Sequence, residues 1–295
     1  MYTYRQEQLI LCLDKILQRN INTEAWNWLN DKVAQFSVNK NTSAFYMAFT
    51  AVSRYTGKAT LNLTEFDLEQ VSKIMNGFNI SGYTADRLSR VWLLLHWDSK
   101  NKETYIKAIS QLFKAAEMNE LVALYGSLPV LAYPEEWVVQ CSEGIRSNIG
   151  TVLEAIMCDN PYPAEYLNEP AWNQLVLKAF FTEKPIEKII GLEDRANKAL
   201  AYTLSDYAHE RWSANRTFDL QLWRVVSKFI DKRIFPDIKK VFEEGNEKQK
   251  EAVALACYRS QYGPAKILLE KWPSFKSAIE LNKLNWKNLS TAIVQ

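Results

Sequence analysis

Apolar residues recur at intervals of three and four along almost the whole chain, as in Leu9, Leu13, Ile16 and Leu17, then Leu88, Val91, Trp92 and Leu95, then Val225, Val226 and Phe229. That spacing collects them on one face of a helix with 3.6 residues per turn. Period-two alternation, the mark of a half-buried strand, is nearly absent, so the pattern predicts an all-α fold.

Helix boundaries follow from punctuation. Thr23 before Glu24, Thr64 with Asp67 three residues on, Thr84 before Ala85, and Asn168 before Glu169 and Pro170 have the form of N-caps. Gly57, Gly77, Gly126, Gly191 and Gly245 each follow an amphipathic run, where a left-handed residue commonly ends a helix. All nine prolines lie beyond residue 128. Pro134, Pro170, Pro185, Pro236 and Pro264 fall where a first helical turn is expected, where a missing N–H does no harm. Asn160-Pro161-Tyr162-Pro163 is the exception: two prolines separated by one residue predict an extended, non-helical turn.

A faint internal echo joins Leu112-Phe113 and Glu120 to Leu124 with Val241-Phe242 and Glu251 to Leu255. Each is a helix, a polar turn and a second helix, and two such helices cannot bury their faces alone. Stacked antiparallel helix pairs are the expected solution, as an α-solenoid (HEAT-like) or a curled helical bundle. The chain reads as one helical domain, 1–295, with a helical part at 1–158, a motif-bearing region at 159–223 and a basic helical part at 224–295.

Composition excludes several chemistries. Only nine residues in 295 are glycine, less than half the usual frequency of about 7%, which leaves little room for phosphate-cradling loops or nucleophile elbows. The net charge of +2 gives no reason to expect nucleic acid. The charge is nonetheless uneven, with 7 basic and 11 acidic residues over 151–223 but 14 and 8 over 224–295. The basic stretch reads as solvated helix surface or as a docking face for an acidic partner. Cys12, Cys141, Cys158 and Cys257 lack ligand spacing, and His96 and His209 stand far apart, so neither a metal nor a cofactor is expected. His96 reads as a satisfied half-buried side chain. Trp26, Trp92, Trp137 and Trp172 read as core packing rather than stacking platforms. No export signal and no apolar run long enough to span a bilayer is visible. The expectation is a cytoplasmic protein, not membrane-spanning, with reduced, mostly buried thiols.

Polar residues of functional type concentrate between Asn160 and Arg224. On a helix running from about Asn197 to Trp212, Asp206, His209 and Glu210 share a face through i, i+3, i+4 spacing. Three readings of this trio stand. A carboxylate could orient His209 for general acid–base work. The three could contribute to a metal site, although Ser213 occupies the second position that H-E-x-x-H requires. Or they brace helices, with Asp206 or Glu210 paired to Arg195, Arg211 or Arg216 and His209 hydrogen-bonded between helices. No serine or cysteine stands out as a nucleophile.

The pieces NPYPAEY (160–166), AWNQLVLKA (171–179), GLEDRAN (191–197) and DYAHERW with Arg216 and LWR (206–224) together resemble the EboA family of bacterial proteins. The resemblance implies a role in the ebo gene cluster, whose other products resemble a UbiA-like prenyltransferase, a TatD-like hydrolase, a sugar-isomerase-like barrel and a dehydroquinate-synthase-like enzyme. Such clusters are associated with a small, prenylated type of metabolite, and in cyanobacteria with moving a sunscreen precursor towards the periplasm. The residues it carries onto this chain as ligand-binding candidates are Asn160, Tyr162, Trp172, Asn173, Asp194, Arg195, Arg211 and Arg216, beside the catalytic candidates His209, Asp206 and Glu210.

Two functions are compatible with these residues. One is a non-catalytic accessory or adaptor, a helical scaffold that binds other ebo-type pathway proteins or hands on their product. The other is a small-molecule-binding protein or enzyme acting on a cyclitol-like or prenylated intermediate, with arginine anchoring an anionic or hydroxylated group.

Overall fold

The computed structural model describes residues 1–39 and 41–289. Among these, seventeen α-helices and no strand are found, with a lone antiparallel bridge between Thr60 and Thr84, so the fold is all-α. The chain forms two compact units, Met1–Asn168 and Glu169–Gln295.

The first unit holds α1 (Gln6–Asn20), α2 (Thr23–Asn39), α3 (Thr42–Thr56), α4 (Glu65–Ile74), α5 (Ala85–His96), α6 (Lys102–Ala115), α7 (Met118–Gly126), α8 (Val138–Ile145), α9 (Gly150–Met157) and α10 (Tyr162–Tyr166). Its centre is α5, which packs on α1, α2, α3 and α7 and buries ten of its twelve residues. Such a helix must pair any charge it carries. Arg90 accordingly bonds Asp86 at 2.7 Å and donates to the Phe49 carbonyl at 3.1 Å. Leu9, Leu13, Ile16 and Leu17 form the buried face of α1. His96 is half-buried, which lowers its pKa, and its Nδ1 lies 2.9 Å from the Trp92 carbonyl.

The second unit holds α11 (Glu169–Phe181), α12 (Lys198–Ser213), α13 (Leu222–Val226), α14 (Phe235–Glu244), α15 (Glu247–Arg259), α16 (Gly263–Glu270) and α17 (Pro273–Glu280). Here α15 is central: it packs on α13, α14, α16 and α17, and its Ala252 to Cys257 run is buried throughout. The basic stretch is therefore built into this unit. Asp237 of α14 accepts from Ser205 and bonds His209 of α12, while Arg259 of α15 pairs with Glu193.

Several boundaries differ from the sequence expectation. Thr64 and Asp67 do form a reciprocal capping box, and Asn197 caps α12 through Leu200 N–H. The cap of α2 is Asn22, whose Oδ1 accepts from Ala25 N–H at 2.8 Å, and Thr23 is already helical. Thr84 sits at the N-cap of α5 but donates its hydroxyl to Asp86 instead of accepting a backbone N–H. Gly57, Gly77 and Gly191 take positive φ, whereas Gly126 is the last residue of α7 and Gly245 is extended. Gly126 serves close approach: a Cβ there would lie 2.5 Å from Arg87 Nη2 and 2.9 Å from the Tyr83 hydroxyl.

The Asn160 to Pro163 segment is not extended. Pro161 is helical (φ −75°, ψ −21°) at the N-cap of α10, and Pro163 lies in its first turn. Those positions have no intrahelical partner for an N–H, so both prolines start the helix they were expected to prevent. Of the thiols, Cys141 and Cys257 are buried, which pushes each up to about 12, and Cys12 and Cys158 are half-buried. In the echo, the second helix of each pair opens on a capping interaction, Glu120 to Glu117 N–H and Gln249 with Asn246. The packing differs, since α14 lies on α15 whereas α7 packs on α5 and α9.

Candidate ligand-binding site

The candidate residues fall into both units. In the first, Asn160 is buried and fully engaged: Nδ2 donates to the Tyr125 and Ala155 carbonyls at 3.2 and 2.9 Å, and Oδ1 accepts from Tyr162 N–H at 3.0 Å. Buried Tyr162 donates its hydroxyl to the Pro134 carbonyl at 2.5 Å and stacks on Tyr166. Together they fix the turn that leads into α10.

In the second unit, Trp172 is buried on α11 with the Arg195 guanidinium 5.0 Å over its ring. Asn173 and Asn197 exchange side-chain amide bonds at 3.2 and 2.7 Å, tying α11 to the cap of α12. Asp194 is exposed, while the neighbouring Glu193 is held by both Arg224 and Arg259. Burial alone would push the Glu193 carboxyl up; the two guanidinium groups outweigh it and hold it below its usual value. The family resemblance carries Asp194 and not Glu193, whose two partners lie 31 and 66 residues further on, beyond the reach of a local motif.

The helical face of Asp206, His209 and Glu210 exists, but the three do not act on one another. Asp206 receives both Arg233 bonds, at 2.8 and 2.9 Å, and not Arg195, Arg211 or Arg216. His209 Nε2 lies 2.6 Å from Oδ1 of buried Asp237, which also accepts from Ser205 at 2.5 Å. The carboxylate that orients His209 thus comes from α14. Among the described residues, no group of three or more His, Cys, Asp and Glu side chains is arranged to hold a metal ion.

Arg211 and Arg216 instead border two cavities that share the 217–220 loop as a wall. The first, about 230 Å³, lies between the C-terminal end of α11, the 183–187 turn and the C-terminal half of α12. Phe180, Pro185, Ile186, Phe218 and Leu220 make its apolar side, and Glu183, Glu187, Tyr207, Arg211 and Asp219 its polar side. A mainly apolar wall with a few convergent polar groups is the usual make-up of a small-molecule site, though this one is below the common size range of about 300–1,000 Å³. The second cavity, about 200 Å³, is lined by Trp212, Asn215, Arg216 and Gln249 with the shared loop. Asp206, His209 and Glu210 line neither.

Two helix endings shape these cavities. After α11, Lys184 N–H bonds the Ala179 carbonyl at 2.9 Å and Glu183 N–H the Phe180 carbonyl at 3.3 Å, with Glu183 at φ 53°. After α12, Arg216 N–H bonds the Arg211 carbonyl at 2.8 Å and Asn215 N–H the Trp212 carbonyl at 3.0 Å, with Asn215 at φ 52°. This is the left-handed C-terminal motif that glycine usually occupies. In a chain so poor in glycine, Glu183 and Asn215 take its place, and each projects a polar side chain at a cavity edge. A left-handed glutamate costs roughly 1 kcal/mol, and residues so held cluster at functional sites.

Charge within the first cavity is unbalanced. Arg211 donates Nε–H to the Thr217 carbonyl at 2.7 Å and lies 5.9 Å over the Tyr207 ring. Among the described residues the Asp219 carboxylate accepts one hydrogen bond, from Gln221 N–H at 2.8 Å, and has no ion-pair partner. Burial, aggravated by Glu187, raises its pKa. Tyr207 is 7% exposed and makes no hydrogen bond through its hydroxyl among the described residues; burial raises its pKa too. Glu183 and Asp219 lie in turns, and Glu187 in the short 3-10 helix Ile186–Lys188, so only the folded chain brings the three together.

Fold and cavity define an all-helical protein with a compact pocket of mixed polarity. Residues 9–227, about three quarters of the sequence, match the family described as metabolite traffic protein EboA, and the chain belongs to the EboA family. The match ends just after α13, before α14 to α17. No curated protein and no solved structure matches the chain. No helix among the described residues is long and apolar enough to cross a membrane.

Proposed function

We propose that this protein is a non-catalytic accessory component of an ebo-type metabolite pathway, acting in the cytoplasm, which holds a small pathway molecule in the cavity between α11 and α12 and passes it between partner proteins. The observation that carries the reading is the cavity itself: a mainly apolar wall facing polar groups with bonding capacity left over, in a family described by metabolite traffic. Binding is favoured over catalysis because His209, the strongest proton-transfer candidate, is bonded to Asp237 and stands outside both cavities. Docking of other ebo-type proteins on the helical surface completes the proposal, and supplies the route by which the molecule arrives and leaves.

The test is native mass spectrometry of the protein purified from cells that carry the rest of the pathway. A bound small molecule is expected on the wild-type chain and not on Thr217→Trp, which fills the shared wall from an exposed position. The same adduct on both proteins, or none on the wild type, overturns the reading.

A further inference from the structure

The first cavity carries more information than its existence. Its polar side presents three carboxylates, Glu183, Glu187 and Asp219, against two cations, Lys184 and Arg211. Both cations are engaged: Arg211 is bonded to the Thr217 carbonyl and covers the Tyr207 ring, and Lys184 likewise has a partner. Among the described residues, half-buried Asp219 has none of opposite charge, and Tyr207, 7% exposed as a residue, makes no hydrogen bond through a hydroxyl that solvent still reaches. A half-buried carboxylate near a second carboxylate is costly to ionise without a cation beside it, and a phenol that solvent reaches is free to bond a ligand. The shortfall is specific. What is missing is positive charge with N–H donors at Asp219, plus an acceptor or donor for one phenol, over a wall of Phe180, Ile186 and Phe218.

We infer that the cavity takes a compact molecule with a protonated amine, the amine hydrogen-bonded by Asp219 and facing Tyr207, and an apolar body of about one ring lying against Phe180, Ile186 and Phe218. Glu183 and Glu187 at the edge repel a carboxylate or phosphate. This rests on the binding role proposed above and specifies its ligand class.

The probes are three compounds of one skeleton, cyclohexylmethylamine, cyclohexylmethanol and cyclohexanecarboxylate, titrated at pH 7 into the full chain and followed by saturation-transfer NMR. The amine is expected to bind about tenfold more tightly than the alcohol, since a charge-assisted bond is at stake, with the carboxylate weakest. Asp219→Asn keeps the acceptor that Gln221 N–H uses and should bring the amine down to the alcohol's affinity, and Tyr207→Phe should weaken the amine about threefold to tenfold. Thermal melts of both variants confirm that they fold. If the alcohol or the carboxylate binds at least as well as the amine, and Thr217→Trp abolishes that binding, the amine inference fails while the cavity stands as a ligand site. If Asp219→Asn leaves amine affinity unchanged, the inference also fails. If no probe binds and no adduct is found on the native protein, both it and the proposed function fail.

Discussion

Tyr162 in the first unit and Tyr207 in the second are both buried aromatic side chains inside the segment where polar residues concentrate, and they differ in one respect. Tyr162 donates its hydroxyl to the Pro134 carbonyl at 2.5 Å, beside an Asn160 whose amide is fully engaged; among the described residues, Tyr207 lines a cavity with its hydroxyl unbonded, near an Asp219 that lacks a counter-charge. The same residue types therefore do opposite work. Around Asn160 the polar groups satisfy one another and hold a turn, whereas around Asp219 they are left incomplete in a way that a ligand can complete. Residue type in a polar-rich segment does not separate a brace from a site; the hydrogen-bond balance of each group does.

The largest effect that can break this comparison is Asn160→Ala. It leaves the Tyr125 and Ala155 carbonyls and the Tyr162 N–H without their partner in a buried setting, so denaturant unfolding should show a loss of about 3 kcal/mol, with probe binding at the cavity intact. A loss under about 0.5 kcal/mol would mean that the turn is not braced as described.

Next is the opposed pH behaviour of two carboxylates in the second unit. Glu193 is held below its ordinary value, so its pairing with Arg224 and Arg259 stabilises the fold fully above the usual glutamate range near 4.5, and that contribution is lost as pH falls through the folded value. Glu193→Gln should cost roughly 1–2 kcal/mol at pH 7, discounted for partial exposure, with the difference from wild type vanishing in acid. Asp219 is shifted the other way: its ionised form is a penalty present above its raised folded value, relieved as pH falls through it. Asp219→Asn should therefore be more stable than wild type at pH 7 and lose that advantage on acidification. Stability curves between pH 3 and 8 check both signs.

Smaller still is the release of backbone strain at the cavity edge. Glu183→Gly should raise stability by at most about 1 kcal/mol, because glycine adopts φ 53° without a Cβ penalty. A decrease would show that the Glu183 side chain contributes a contact that outweighs the strain.

What the chain reveals of itself before folding depends on range. The α1 face of Leu9, Leu13, Ile16 and Leu17, the Thr64–Asp67 capping box and the Asn197 cap were all legible, because periodicity and capping act within one or two turns. The Pro161–Pro163 start of α10 was misread because proline spacing was weighed without the position of each proline relative to the helix start. The partners of His209 and Asp206 were missed for another reason: Asp237 and Arg233 lie 28 and 27 residues further on, and long-range pairing has no local signature. Of the residues the sequence singled out, only Arg211 lines the first cavity. Its deciding residues, Glu183 and Asp219, sit in turns, where a left-handed glutamate or an unpaired aspartate looks in sequence like any other solvated charge.

On the proposed function, the α11–α12 cavity, and not the Asn160 turn, holds the small molecule of this EboA-family protein. The most direct measurement is native mass spectrometry of wild type, Tyr162→Phe and Tyr207→Phe purified from the same pathway-bearing cells. The account predicts that the wild-type adduct persists on Tyr162→Phe and is lost or sharply reduced on Tyr207→Phe. An adduct undiminished on Tyr207→Phe, or one lost from Tyr162→Phe alone, would contradict it.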